Sequence, residues 1–470
     1  MSHEKNRREF LKITLATSLS ILLFGCSAFT RRENPIEDTS EKKKVDADII
    51  IIGSGIAGLA AANTLRAKGY STLILEARDR IGGRVWTDRS LDHTALDLGA
   101  SWIHGIKDNP LTKLTQKYSI STVPFDYDAL QIYDATGKPL TEKEQSKISA
   151  LLEKIINKVK EKREQVDADF SLQKAINQVI TKMALTEQDM IQLNYAINTE
   201  IEHEYSEDAS RLSFLHWDDG GGFGGGDVLI PDGYDQIIKN ISQKLIIKTK
   251  QIVQKVGYNK HQVTIKTNQG VFYANRALIT LPLGVLKKGT VSFSPALPKS
   301  KQDAIKRLGM GVLNKVYLRF PSMFWDEEDD LLGYISKKKG EWAEFLNMAK
   351  FLKKPVLLGF NAGENGRAIE RLTDRQIIES AMQVLRRMYG QDIPEPVGWL
   401  ITRWNSDPFT FGSYSYIAVN SSLKDREVLA KPVGSRLFFA GEATSSEHAA
   451  TVHGAYLSGV KAAEQMMSKK

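Results

Sequence analysis

The stretch that most constrains this chain is Asp48-Ile-Ile-Ile-Ile-Gly53-Ser54-Gly55-Ile-Ala57-Gly58-Leu-Ala-Ala-Ala-Asn63. Four consecutive isoleucines leave no polar face, so the run suits a strand covered on both sides inside a parallel sheet. Gly53 permits a tight turn out of that strand, Gly55 lets the backbone approach a diphosphate, and Gly58 lets the next helix pack close. Ser54 and Ala57 belong to the same loop, and the helix offers unpaired N–H groups and a positive dipole end to the phosphates. A second strand, Ser71-Thr-Leu-Ile-Leu-Glu76, ends in a carboxylate at about the spacing of an acid on a ribose hydroxyl. A plain strand-end charge is the alternative for Glu76. Strand, glycine loop, helix and acid together make a dinucleotide site.

Which dinucleotide is decided by Glu76-Ala-Arg78-Asp79-Arg80-Ile-Gly82-Gly83-Arg84-Val-Trp86. A nicotinamide cofactor does not need this second glycine pair with its arginine. The segment resembles the FAD-binding N-terminus of the flavin-containing amine oxidases, the family of monoamine oxidases, polyamine oxidases and lysine-specific histone demethylases. Asp97-Leu-Gly99-Ala100-Ser101-Trp102-Ile103-His104-Gly105 is similar to a segment that lies along the flavin in the polyamine-oxidase branch and puts its histidine at the substrate tunnel. Read alone, His104 is a satisfied structural histidine; the resemblance makes it catalytic.

Along Gly311-Val-Leu-Asn314-Lys315-Val316-Tyr317-Leu318-Arg319-Phe320 the side chains alternate. Val312, Asn314, Val316, Leu318 and Phe320 share one face, and Leu313, Lys315, Tyr317 and Arg319 the other. By pattern alone Lys315 faces solvent; Leu-Asn-Lys-Val resembles the segment in which amine oxidases hold a lysine, through water, to flavin N5. The blocks around Trp404 and Tyr414, around Gly441-Glu442-Ala443-Thr444, and around Thr451-Val452-His453-Gly454 resemble the second half of the family's FAD site. The resemblance implies FAD contacts from Arg78, Gly83, Arg84, Gly99, Ala100, Ser101, Trp102, Trp404, Gly441, Glu442, Thr451 and Val452. It also implies a Val253 contact to adenine and an amine lying against Tyr414. The same resemblance implies that a helix after Thr451 points its dipole at the flavin. Two departures stand out. Phe409-Thr-Phe-Gly-Ser-Tyr414 lacks the cysteine that bonds the flavin in monoamine oxidases, which implies non-covalent FAD. Thr451 stands where many members place an aromatic ring, which implies a pocket open on one side.

The fold so implied is α/β: a Rossmann-like FAD-binding domain (45–125, 228–311, 423–470) interleaved with an α+β substrate-binding domain (126–227, 312–422). Residues 140–205 are not covered by the resemblance. There Leu151, Leu152, Ile155, Ile156 and Val159 recur at helical spacing, so amphipathic helices cover a domain. Asp218–Gly226 reads as a flexible loop, its two carboxylates either lining a pocket for a cationic amine or lying on a bland surface. Strands are expected at Gln251–Tyr258, Gln262–Thr267, Gly270–Tyr273 and, separately, Arg276–Pro282. Glu204 and Glu207 are candidate substrate carboxylates that an exposed helix end explains equally well.

The net charge of +8 is spread without a basic stripe interleaved with aromatics, which argues against nucleic acid. There is no metal-ligand spacing of His and Cys and no nucleophile elbow. The single cysteine, Cys26, excludes an internal disulfide. Asn6-Arg7-Arg8-Glu9-Phe10-Leu11-Lys12, then the apolar Ile13–Phe24, resembles a bacterial twin-arginine signal. Leu23-Phe24-Gly25-Cys26 resembles a lipobox, with an uncleaved anchor as the alternative. Residues 1–26 are thus an export signal and 27–44 a flexible tether. The expected location is the periplasm or cell envelope, reached through export machinery and held to the membrane by a lipid on Cys26. Export of folded protein fits cytoplasmic insertion of FAD.

The resemblance implies oxidation of a small-molecule amine, a polyamine leading, to an imine, with molecular oxygen as acceptor and peroxide as product. A monoamine or L-amino-acid oxidase is the alternative on the same fold. A flavoprotein that only binds a ligand or passes electrons is the alternative from another class.

Overall fold

A computed structural model describes residues 43–468. The export signal, Cys26 and nearly all of the tether fall on residues 1–42, outside the described residues.

Two large sheets organise the rest. The first has eight strands, in the order Ser292–Ser294, Val253–Tyr258, Val263–Thr267, Gly270–Ile279, Ala47–Ile52, Thr72–Leu75 and Ile247–Lys248, with Leu437–Phe439 also paired to Gly270–Ile279. Ala47–Ile52 is central and runs parallel to both neighbours, Ile50 opposite Ala277 on one side and Leu73 on the other. Its isoleucines divide between two cores. Ile49 and Ile51 join helices Ile56–Arg66 and Val452–Ser468, while Ile50 and Ile52 join Val256, Ile265, Leu437 and Phe439. Each face therefore needs an apolar residue, which is why the run does not alternate.

The strands expected at 270–273 and 276–282 are one strand, Gly270–Ile279. Along one edge it changes partner: Val263 sits antiparallel to Ala274, and Leu437 parallel to Ala277. The polar Asn275 and Arg276 between the two pairings do not interrupt it, because Asn275 Nδ2 reaches Asp48 Oδ1 at 3.3 Å and Arg276 Nη1 donates to the Met466 carbonyl.

The second sheet has six strands, in the order Gly398–Ile401, Leu313–Arg319, Val356–Ala362, Glu344–Asn347, Leu331–Tyr334 and Leu130–Tyr133. Val316 and Leu318, with Phe320 beyond the strand end, pack under helix Asp374–Tyr389; Leu313 and Tyr317 face Leu96, Leu98 and Phe125. The first sheet draws its strands from 45–125, 228–311 and 423–470, and the second from 126–227 and 312–422. A small sheet of Trp102–Ile103, Asp227–Leu229 and Val123–Phe125 joins these segments.

The 140–205 region forms helices Glu142–Glu161, Leu172–Ile180 and Glu187–Ile197. Capping boxes, Thr141 with Glu144 and Thr186 with Asp189, satisfy free N–H groups at two of their starts. Their buried faces, including Leu152, Ile155 and Ile176, close on one another and on Ile132, Ile335 and Tyr416. Among the described residues no helix is long and apolar enough to cross a membrane.

Candidate functional site

A cavity of ≈ 1030 Å³ is lined from both sheets. At one end lie the glycine loop and the start of helix Ile56–Arg66. Gly53 has φ +107°, and a Cβ there would meet Thr280 Oγ1 at 2.6 Å; a Cβ on Gly58 would meet the Gly53 carbonyl at 2.2 Å. A Cβ on Gly55 or Gly441 meets nothing within 4 Å, although both residues line the cavity. Open space of that kind beside backbone is what a closely approaching ligand requires. No side chain caps this helix start, so its N–H groups stay available to an anion.

Glu76 is 6% exposed. Ser54 donates to its Oε2 from both N and Oγ, at 2.8 and 2.7 Å, and Arg78 N donates to Oε1 at 2.9 Å. Ser54 and Gly58 do not line the cavity. Ser54 fixes the acid and Gly58 admits the helix, so both shape the site from behind. Ala57, Arg78, Gly83, Arg84 and Val253 do line it. Arg78 pairs with Asp407 at 2.7 Å, and Arg84 Nη1 donates to Glu442 Oε1 at 2.8 Å and to the Ser413 carbonyl at 2.9 Å. Burial pushes the Glu442 carboxyl up, but Arg84, Arg426 and Ser415 outweigh it and hold the group below its ordinary value.

The middle of the cavity is walled by Gly99, Ala100, Ser101, Trp102, Trp404, Gly441, Glu442, Thr451 and Val452. Trp404 Nε1 donates to the Leu98 carbonyl at 3.1 Å. Lys315 lines the cavity and is 4% exposed, contrary to the solvent face that the strand pattern alone implies. The covering comes from the 97–101 segment: Nζ donates to the Asp97 carbonyl at 2.9 Å, the Gly99 carbonyl at 2.6 Å and Ser101 Oγ at 2.6 Å. Three acceptors match the three donors of an ammonium. Burial pulls the Lys315 pKa below its ordinary value, opposed by Asp97, and pushes the Asp97 carboxyl up against Thr87 and Lys315.

Towards the second sheet the wall turns acidic and aromatic. His104 Nδ1 meets Asp227 Oδ2 at 2.6 Å, and Tyr127 donates to the same oxygen at 3.0 Å. Burial alone would lower the His104 pKa; Asp227 outweighs it, and the value is raised. Tyr414 lines the cavity, and its hydroxyl donates to the His203 carbonyl at 2.6 Å. Glu204 lines the cavity and is exposed. Glu207 does not line it, which corrects its candidacy. It is fully buried, and Arg367 binds both its oxygens, so no free carboxylate faces a substrate.

The glycine-rich loop is also docked rather than free. Gly221 N donates to the Glu447 carbonyl at 2.6 Å, Lys107 N to the Gly224 carbonyl at 2.8 Å, and Phe223 stacks on His448 at 4.6 Å. Asp218 and Asp219 line the cavity, already paired with Arg163 and His216 at 2.6 and 2.7 Å.

Sequence reasoning missed Glu200, His203, Asp227, Glu344, Tyr127 and Phe360, all on the cavity wall. After helix Glu187–Ile197 the backbone widens into a π-helical turn, Asn198–Glu202, which sets Thr199, Glu200, His203 and Glu204 on the cavity side together. A search for 3.6-residue periodicity does not find that turn. Burial raises the Glu200 pKa, and Glu344 raises it further while His203 opposes. One end thus suits a dinucleotide diphosphate, and the other a cation.

The sequence profile of the flavin containing amine oxidoreductases matches residues 56–467. Polyamine oxidase 2 of Arabidopsis thaliana is 35% identical over 92% of this chain and 91% of its own length. Polyamine oxidase 4 of Oryza sativa subsp. japonica is 34% identical over 89% of this chain and 88% of its own. Lysine-specific histone demethylase 1 homolog 3 of Arabidopsis thaliana is 34% identical over 92% of this chain, but this chain spans only 30% of that protein. A putrescine oxidase, solved with putrescine bound, superposes with a TM-score of 0.74 at 20% identity, covering 90% of this chain and 99% of its own. That likeness shows a shared fold.

Proposed function

Since the chain belongs to the flavin-containing amine oxidoreductase family and uses FAD to oxidise an amine, we propose that its substrate is an amine with a second cationic nitrogen, a polyamine or diamine. The observation that carries this reading is the acidic wall of Glu200, Glu204, Asp227 and Glu344 among the rings of Tyr127, Phe360 and Tyr414. Carboxylates in a partly dry cavity repel one another, and a bound ammonium relieves that repulsion. Aromatic faces add attraction for a cation. An amino acid substrate would instead require a free cation for its carboxylate beside this acidic wall, where His104 is already paired with Asp227, and Lys315 is engaged by three oxygens.

FAD, when bound, supplies the acceptor for a hydride from the carbon next to the nitrogen. The chain's own residues orient and select. Tyr414 offers a flat wall, with its hydroxyl tied back to His203. His104, held by Asp227, stands where it can carry charge or hydrogen-bond an amine. Lys315 holds the 97–101 segment in place along the wall. Hydrolysis of the imine gives an aldehyde and a shortened amine or ammonia, with oxygen taken up and hydrogen peroxide released.

A panel of putrescine, a triamine and benzylamine, read by peroxide release, tests the reading. Glu200→Gln and Glu344→Gln should raise KM for the di- and triamine about tenfold, one lost charge-assisted contact, and leave benzylamine unchanged. Benzylamine as the best wild-type substrate would sink the proposal, and no peroxide with any amine would favour a non-oxidase flavoprotein.

FAD is held without a covalent bond on this reading, since Phe409–Tyr414 offers no cysteine. Acid denaturation should leave all flavin in the supernatant. The export proposal rests on Arg7, Arg8 and Cys26 in the sequence. Replacing both arginines by lysine should retain the protein in the cytoplasm, and Cys26→Ser should abolish membrane association but not export. A Cys26→Ser protein that still pellets with membranes would indicate an uncleaved anchor.

A further inference from the structure

We infer that Arg426 is a cofactor-binding residue whose charge serves the FAD diphosphate. The inference rests on FAD binding in the cavity described above. Arg426 lies on helix Leu423–Ala430, is 1% exposed, and lines the cavity beside Glu442. A guanidinium so deeply buried ordinarily sits against a carboxylate. Here its hydrogen bonds go to neutral oxygens: Nη1 to Ser415 Oγ at 2.7 Å and the Ala443 carbonyl at 3.4 Å, and Nη2 to the Ser415 carbonyl at 3.3 Å. Its Nε has no partner.

The nearby carboxylate is committed elsewhere. Glu442 pairs directly with Arg84 at 2.8 Å, and the Ser415 hydroxyl, which donates to Glu442 Oε2 at 2.5 Å, stands between Glu442 and Arg426. Two guanidinium groups around one carboxylate leave one positive charge in a buried cluster on the cavity wall. Burial works against that charge, pulling the Arg426 pKa below its ordinary value, with Glu442 opposing. An anion in the cavity would complete the cluster.

The position selects which anion. Arg84 follows Gly83, where a Cβ would lie 3.4 Å from Gly55 Cα, so this arginine sits over the loop whose N–H groups suit a diphosphate. On the other side, Gly441 precedes Glu442 with φ +130° and open space where a Cβ would project. The chain of contacts Gly83–Arg84–Glu442–Ser415–Arg426 runs from the glycine loop along the cavity wall and carries positive charge away from that loop, and the diphosphate is the anionic part of FAD.

The test measures FAD dissociation from the full-length protein, by fluorescence of flavin released on dilution, and ADP competition as a probe that carries the adenosine and diphosphate without the flavin. Arg426→Gln keeps a donor for Ser415 and removes the charge. It should weaken FAD and ADP binding by the same factor, about tenfold or more, while Arg426→Lys should stay within about threefold of wild type, as the loss or retention of one charge-assisted contact implies. Unchanged FAD and ADP affinity in Arg426→Gln would overturn the proposal and leave Arg426 a structural residue. Unchanged ADP affinity with an altered reduction potential would also overturn it and assign the charge to the flavin ring. Where Arg426→Gln fails to fold, Arg426→Lys decides: it keeps the charge without the planar fork, so a tenfold loss of FAD affinity there would overturn the proposal. Wild type without bound FAD would refute the cofactor reading itself, a separate outcome.

Discussion

Lys315 donates to two carbonyls and one hydroxyl of a single short segment, so removing it acts on the cavity wall as well as on any ligand. Lys315→Met keeps length and strand preference but takes one donor from each of those acceptors, leaving the Asp97 carbonyl to the Tyr317 hydroxyl at 2.9 Å, at a stability cost of about 1–3 kcal/mol. If the lysine also orders a water at the reacting atoms, Ser101 is the partner that must share it, being the one side-chain acceptor of the three. The variant should then fold and bind FAD yet react roughly 10²–10³-fold more slowly, the loss typical of one preorganised donor. Amine reduction and oxygen reoxidation, timed separately in stopped flow, check this; wild-type rates in both would reduce Lys315 to a wall residue. His104 yields a pH prediction. Asp227 raises its pKa, so the pair's contribution to stability is fully present below the unfolded value of about 6.5 and fades as pH rises through the folded one. Asp227→Asn should move the His104 limb of the kcat/KM profile to lower pH and remove the stability advantage on the acid side. A limb that stays in place would assign it to another group.

At the scale of elements, the site depends on two helices pressed together under the glycine loop. A Cβ on Gly459 of helix Val452–Ser468 would lie 2.1 Å from the Ala57 carbonyl, in the first turn of Ile56–Arg66. Gly459→Ala should therefore cost about 1–3 kcal/mol by overpacking. Because the strain falls on Ala57, which lines the cavity, FAD occupancy should fall as well. Urea denaturation with the ratio of flavin to protein absorbance measures both effects, and full occupancy at lowered stability would show that the loop absorbs the shift. The π-helical turn at Asn198–Glu202 works on the same scale. One widened turn brings Thr199, Glu200, His203 and Glu204 to the cavity, where a regular helix would have rotated some of them away.

Across the whole molecule, the cavity joins segments that are distant in the chain, from Gly53 to Val452. A cofactor that binds the folded state alone stabilises all of them together. At free FAD about 1,000 times its Kd, the gain is about 4.1 kcal/mol. The apoprotein should melt well below the holoenzyme and recover with added FAD in a dose-dependent way. A melting temperature indifferent to FAD would place the cofactor outside the cooperative core.

The sequence by itself determined the dinucleotide loop, because its physics is local. Four isoleucines, three glycines and an acid at the end of the next strand each satisfy a short-range requirement of strand, turn or helix start. It determined the alternating faces of Leu313–Arg319 for the same reason. What a face meets is not local. Lys315 has the pattern of a solvent-facing lysine, and only the fold lays Asp97, Gly99 and Ser101 over it. Glu207 and Glu200 lie seven positions apart and look alike in sequence, yet Arg367 closes over one and the cavity opens on the other. Arg426 carries no motif at all. Its buried charge acquires meaning from Glu442 being already engaged by Arg84, a contact across more than three hundred residues that tertiary packing alone decides.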